Sequence, residues 1–497
     1  MDSEQTKNPP GDQPVSRHGR DLTTGSIPRH LLAFSLPMLA GNVLQTAYSL
    51  VNAVWVGKFL GTSAMAAVTV SFPVMFVLMA VAGGLTMGTN IVVAQSVGAR
   101  NFEQAKRGIN NSVVLSAALS AVLLGVGVAY SRPLLRAIDT PPDVLPLAAH
   151  YMRLLLLGLP SMFGMFLFGA VLRAVGDSAT PLYFQTFSVC LTAALDPLLM
   201  FGLLGLPRMG LNGTAAATVA SQTLALVALL FYLARKGHMV NPDWRHLSAD
   251  WPTSWLIVKI GFPVMIQQSL ISMAMVLVIG FVNAFGENTV AAFGAASRID
   301  QIAFLPAMTI GMAVSTMTGQ NIGARRTDRV SKVFLSGLAL AGCFTAVGSL
   351  LAVGAPGLLL RMFLSDPQVI SLGVHYLRIV GACYMFFAVM FVATGIINGA
   401  GQTLVSTVTT LISLWGVRVP LAAYLPKVVH SVNGIWYAIA LGFASSMVMS
   451  VLYYWSGLWR RAAIARVGPV LPPPNEPETP EPEVPVPPSP DALGPLG

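Results

Sequence analysis

Asp196 and Pro197 are the residue pair with the most chemistry in this chain, because both stand inside the long apolar run 181–204. An ionisable group in such a run costs at least a few kcal/mol, so it needs a reason to be there. Proline has no backbone N–H, so the carbonyl of Ala193 loses its helical partner within one turn of the carboxyl group. Thr192 lies one turn back on the same helix face, and Ser188 one turn further. A carboxyl group in oil must be neutralised, by a proton or by a bound cation, and either lets Asp196 alternate between two charge states. A packing role, with the carboxyl hydrogen-bonded to a neighbouring helix, is the competing reading.

A second constellation precedes it. Asn42, Gln45, Ser49 and Asn52 follow at i, i+3, i+7 and i+10, which places them in one narrow stripe of a helix. Lipid does not accept that stripe, so it faces a wet cavity or supplies interhelical hydrogen bonds. Tyr48 and Trp55 flank it and could meet an aromatic ligand. Pro37, and Pro263 in the matching later segment, can kink or hinge their helices. Arg418, two residues before Pro420, falls near the repeat position of Asp196; it is either a cavity charge or a side chain snorkelling to the surface.

The elements that must position these groups are membrane helices. Hydrophobic residues make up 54% of the 497 residues and charged residues 10%, against about 25% charged in soluble domains. Apolar runs of about 20 residues, enough to cross hydrocarbon, recur along the chain. We place twelve: 34–56, 70–95, 109–130, 148–172, 181–204, 210–234, 255–285, 290–319, 333–355, 374–398, 404–425 and 434–457. Period-two alternation is absent, which argues against a membrane barrel. The net charge of +9 lies mostly in the even-numbered loops and the two ends. That is a topology signal placing both termini in the cytoplasm, and it gives no case for nucleic acid. Residues 1–30 are polar, so no cleavable signal peptide is expected. Cys190, Cys343 and Cys383 are too scattered for a disulfide framework or a metal site.

The chain is also written twice. Leu36-Pro37 through Gly98-Ala99-Arg100 recurs as Phe262-Pro263 through Gly323-Ala324-Arg325, His150-Tyr151 as His375-Tyr376, and Asn212-Gly213 as Asn433-Gly434. Six spans per copy is an even number, so the copies enter the membrane from the same side, as a parallel repeat. The expected architecture is all-α, with twelve transmembrane helices in two parallel-repeat six-helix bundles, 26–235 and 253–460. A cytoplasmic linker, 236–252, joins them. Residues 1–25 are expected to form a disordered tail, and 467–497 a Pro/Glu-rich disordered tail.

Motifs narrow the class further. They are Tyr48 through Gly57, Gln95-Ser96-Val97-Gly98-Ala99-Arg100 with its copy Gln320 to Arg325, Leu172-Arg173-Ala174-Val175-Gly176-Asp177, Asp196-Pro197, and Gly210 to Ala215. Together they resemble the multidrug and toxic compound extrusion (MATE) family over about residues 30–460. The resemblance implies a secondary antiporter in the cytoplasmic membrane that exports lipophilic, often cationic, organic compounds in exchange for H⁺ or Na⁺. It implies no other cofactor, a monomer among membrane lipids, small organic substrates as partners, and no enzyme activity. By position, Asp196 resembles the family's coupling aspartate, with Thr192 and Thr214 beside it, and Pro37 resembles the proline where the first helix bends. Asn52 departs from the pattern, standing where many prokaryotic members carry a second aspartate. Gln267 and Gln268 lie where some sodium-coupled members carry a buried glutamate. A lipid-linked saccharide flippase of the related superfamily is the alternative and would need a long basic groove. No phosphate-binding loop or zinc-protease motif occurs, which removes a cis ATPase and a zincin.

Overall fold

A computed structural model describes residues 20–461 apart from 139, 206, 245, 246, 248 and 249. The tail expected at 467–497 and residues 1–19 lie outside it. The first half comprises α1 (Ile27–Trp55), α2 (Thr62–Gly98), α3 (Phe102–Ala137), the bent pair α4 (Leu145–Leu157) and α5 (Leu159–Ala174), α6 (Ala179–Phe201) and α7 (Leu211–Lys236). The second half repeats the plan with α8 (Trp251–Asn283), α9 (Glu287–Gly323), α10 (Thr327–Gly354), a short α11 (Pro356–Arg361) and the bent pair α12 (Pro367–Ala382) and α13 (Tyr384–Gly399). It closes with α14 (Thr403–Leu411), running through a π-helical stretch Ile412–Arg418 into α15 (Val419–Val429), and α16 (Asn433–Trp455). Each of the twelve expected spans falls on one helix, one bent pair or the broken helix α14–α15. The fourth span of each half breaks at the same place, by 45° and 43°.

The two halves join at the end that carries residues 20 and 461. The close approach there is made by the repeated Gln-x-x-Gly-Ala-Arg motif. A Cβ added to Gly98 would sit 1.9 Å from the Gln320 carbonyl oxygen, and one added to Gly323 would sit 2.0 Å from that of Gln95. Only glycine allows two helix ends to meet backbone against backbone in this way. Gln95 Nε2 donates to the Gly399 carbonyl at 2.9 Å and Gln320 Nε2 to that of Ala174 at 2.8 Å, so each copy reaches into the opposite half. Further up, Gly84 and Gly88 let α2 pack closely on α8 beside Ile257 and Gly261. Asn90 and Thr316 then bridge α2 and α9 at 3.3 Å. The outermost hydrogen bond between halves, among the described residues, is Asn42 Nδ2 to Thr309 Oγ1 at 2.9 Å, near mid-depth of α1.

Two expectations about boundaries need correction. Residues 20–25, expected in a disordered tail, are packed across both halves. Arg20 N–H donates to the Val175 carbonyl, Leu22 N–H to Gln320 Oε1, and Arg329 donates to the Gly25 carbonyl. Leu22 is fully buried, which the polar composition around it conceals. Likewise α1 is not simply a first-half helix. Ile27, Leu31 and Phe34 sit in a core built from α9, α10 and α13, whereas its far end packs on α6. Pro37 lies between these two attachments.

The linker is held down as well. Asp250 caps α8 by accepting from the Thr253 N–H at 3.0 Å, and its other oxygen accepts from Asn111 of α3 at 2.8 Å. Burial alone would raise the Asp250 carboxyl; the bonds from Thr253 and Asn111 outweigh it and hold it below its ordinary value. A depressed folded-state value gives stability that is present above the ordinary carboxylate range and is lost as pH falls through the folded value. Asp250→Asn should therefore flatten the decline of thermal stability between about pH 5 and 3. An unchanged decline would place the acid sensitivity elsewhere. Gly98→Ala and Gly323→Ala should each cost about 1–3 kcal/mol by overpacking, seen as a lower melting midpoint of the purified protein. An unaltered midpoint would contradict the backbone-to-backbone seal.

Candidate ion site and central cavity

Asp196 is buried on α6, and its two oxygens differ. Oδ2 accepts from the Tyr48 hydroxyl of α1 at 2.7 Å, whereas Oδ1 is buried and accepts from no described residue. Tyr48, expected in a cavity wall, thus bonds to the carboxylate and is not among the residues lining the cavity described below. Pro197 sits inside an unbroken α6 that runs on to Phe201 and ends at Gly202 in the left-handed region.

The neighbouring polar groups all offer acceptors. Thr192 is buried and spends its hydroxyl hydrogen on the Ser188 carbonyl at 2.7 Å. Thr214 does the same to the Leu211 carbonyl at 2.8 Å, and Thr218 to that of Thr214 at 2.9 Å. Their remaining lone pairs can only accept. Asn52 Oδ1, one turn beyond Tyr48, and Asn212 Oδ1, at the start of α7, are likewise buried without a donor. Helices α1, α6 and α7, which pack in sequence, therefore carry an excess of unpaired oxygen. The open carboxylate oxygen of Asp196 can take a proton or a hard cation, and the hydroxyl and amide oxygens can add neutral ligands. Among the described residues no three His, Cys, Asp or Glu side chains group as a transition-metal site.

A separate cavity of about 610 Å³ lies within the first half, among α1, α2, α5, α6 and α7, and is closed on one side by Met312, Ser315 and Thr316 of α9. Of the α1 stripe, Asn42 and Gln45 line it together with Pro37; Ser49 and Asn52 do not, so the stripe serves two places. Depth explains the split, since ten residues rise about 15 Å along the helix. Seven methionines line it: Met38, Met75, Met79, Met87, Met162, Met165 and Met312. Ser188 of α6 lines it too, one turn from Thr192 and two from Asp196, so the ion site and the cavity share a helix. No carboxylate is in the lining; its charged member is Arg173, which the sequence offered as part of a motif and as one of the basic residues of the even-numbered loops.

Arg418 matches neither of the two expected readings. Its guanidinium lies 5.0 Å over the Phe443 ring and is attracted by Asp300, inside the second half and away from the cavity. A buried cation is tolerated there because a carboxylate and an aromatic face stand against it. Asp300 itself accepts from Tyr376 and Tyr384 at 2.5 Å each, so both of its oxygens are occupied. Asp196 differs in keeping one buried oxygen without a donor among the described residues. Pro263 is embedded in α8, where its carbonyl accepts from Thr407 at 2.9 Å and ties α8 to α14. Gln267 donates to Thr410 at 2.7 Å on the same interface.

With this geometry in view, comparison with known proteins is decisive. The MatE family model matches residues 37–198 and 263–424, once in each half. A probable multidrug resistance protein of Bacillus subtilis, YpnP, is 34% identical over 88% of this chain and 97% of its own length. This chain belongs to the MATE family. Its relatives are named as multidrug resistance and multidrug export proteins, transporters and not enzymes. An FAD transporter of Shewanella oneidensis is 26% identical over 88% of the chain and 96% of its own length. The fold also matches a solved structure described as the outward-facing conformation of a multidrug resistance MATE transporter, with TM-score 0.81 and 24% identity over 89% of this chain and 98% of that one. This MATE chain is thus an all-helical, multi-pass membrane transporter.

Tyr48→Phe should leave the Asp196 carboxyl without its donor and lower stability by about 1–3 kcal/mol, read from thermal unfolding in detergent. A variant as stable as the wild type would mean that the bond carries no weight.

Proposed function

We propose that this MATE protein is a secondary antiporter of the cytoplasmic membrane. It exports lipophilic organic solutes while H⁺ or Na⁺ enters through Asp196. The observation that carries the reading is the open Oδ1 of a buried carboxylate among unpaired oxygens, held at its other oxygen by the helix that bridges the halves. The excess of Lys and Arg in the even loops and ends sets both termini in the cytoplasm. The sealed face is then the cytoplasmic one, and the molecule is open toward the outside.

From that state an ion reaches Asp196 and changes its charge. Tyr48 responds, because a phenol donates well to a carboxylate and poorly to a neutral acid or one bound to a metal ion. The far segment of α1 shifts relative to Ile27–Phe34, which stay in the second-half core, and Pro37 absorbs the difference. Since Pro37, Asn42 and Gln45 line the cavity, the shift alters its wall and releases solute outward. The halves then rock so that the cytoplasmic seal opens for reloading. The protein needs no other cofactor and works as a monomer in lipid.

A saccharide flippase is the weaker reading, because the cavity has one basic side chain where a polyanionic lipid carrier would call for many. One relative is named for carrying FAD, so cargo in these proteins need not be a cation.

In proteoliposomes with an imposed pH or sodium gradient, Asp196→Asn should abolish gradient-driven export of a fluorescent lipophilic solute while the protein still reconstitutes. Export at the wild-type rate would defeat the mechanism. Asn52→Asp adds a second acid one turn from Tyr48 and should change the pH dependence of export; an identical profile would make Asn52 structural only.

A further inference from the structure

We propose that the central cavity selects lipophilic solutes bearing a single negative charge, with the Arg173 guanidinium as their counter-charge. This deepens the exporter reading and rests on it. Arg173 is the charged member of the lining and no acidic side chain accompanies it. It stands in the last turn of α5, and it makes no hydrogen bond or ion pair with any described residue. The nearest acid in sequence is committed elsewhere, since Asp177 Oδ1 caps α6 by accepting from the Ala179 and Thr180 amides at 3.0 Å each. A half-buried guanidinium with five donors and no acceptor is costly unless something from outside completes it.

The shape of that completion follows from chemistry. Guanidinium binds carboxylate, sulfonate or phosphate oxygens through two parallel hydrogen bonds. One cation balances one charge; a polyanion would carry unpaired charge into a wall that is otherwise methionine and neutral amide or hydroxyl. Met79, Met87, Met162 and Met165 offer flexible, polarisable surface for an apolar body without fixing its outline. Selection is therefore strict on charge and loose on shape. The ion site carries the opposite electrostatic preference, because its charged member is the Asp196 carboxylate, with Oδ1 open. Cargo and coupling ion thus do not compete for one group, and Asp196 need not double as a substrate anchor.

The test compares two near-isosteric fluorophores, 8-anilinonaphthalene-1-sulfonate and the uncharged N-phenyl-1-naphthylamine, with ethidium as a cation. Binding is measured on protein in nanodiscs without any ion gradient, with empty nanodiscs subtracted. The wild type should bind the sulfonate at least 10-fold more tightly than the neutral dye, and ethidium most weakly. Arg173→Gln should remove that preference while the neutral dye binds as before, and Arg173→Lys should keep part of it. Equal affinity for the sulfonate and the neutral dye in the wild type would overturn the proposal, even if a variant fails to fold. So would tighter binding of ethidium, or an unchanged sulfonate preference in Arg173→Gln. Gradient-driven export of ethidium by a wild type that ignores the sulfonate would sink the anion assignment and leave the exporter reading intact. Arg173-dependent sulfonate binding with no export of any solute would support the anion assignment and sink the exporter reading.

Discussion

A carboxylate in a low-dielectric interior is the constraint from which the rest of this molecule follows. Asp196 cannot be ionised there without a partner, and the protein gives it half of one: a single phenol, on one oxygen. A second donor, as at Asp300, would have made it a fixed strut. Leaving Oδ1 open converts a packing cost into a site whose occupancy matters. The donor comes from α1, whose other end is rooted in the opposite half, so one helix joins the carboxyl to the second-half core.

The second requirement is that the halves can part. Their joint is built from glycine-mediated backbone contact and a few side-chain amides, with a ring of hydrogen bonds through residues 20–25. Apolar packing adds to it, with Leu85, Ile91 and Val92 of α2 against Ile257 and Ile260 of α8. The same motif in both repeats supplies both faces, which is why a duplicated sequence produces a symmetric joint.

Much of this was legible in the residues. The apolar runs and the repeat specified twelve spans and two bundles, because lipid leaves the backbone no alternative to helices. Asp196 announced itself as an acid in oil, and Asn42 and Gln45 as polar residues on one stripe. Other features were hidden for physical reasons. Tyr48 read as an aromatic wall, because no sequence pattern tells which group a phenol will meet 148 residues away. The packing of Leu22 depended on a groove made by Gln320 and Asn321, nearly 300 residues distant. Arg418 looked like a partner for the cavity by repeat position, yet the π-helical stretch before it changes the direction of the helix face. Arg173 was masked by its place at a helix end, where a cation is ordinary. Only the missing acceptor distinguishes it.

The most direct measurement of the central claim reverses the usual direction of driving. Proteoliposomes loaded with a transported solute, with no ion gradient imposed, should take up H⁺ or ²²Na⁺ as the solute leaves through wild-type protein. Uptake should vanish when Asp196 is replaced by asparagine. Solute leaving with no ion entering, or ion entry that persists without the carboxyl, would contradict the account.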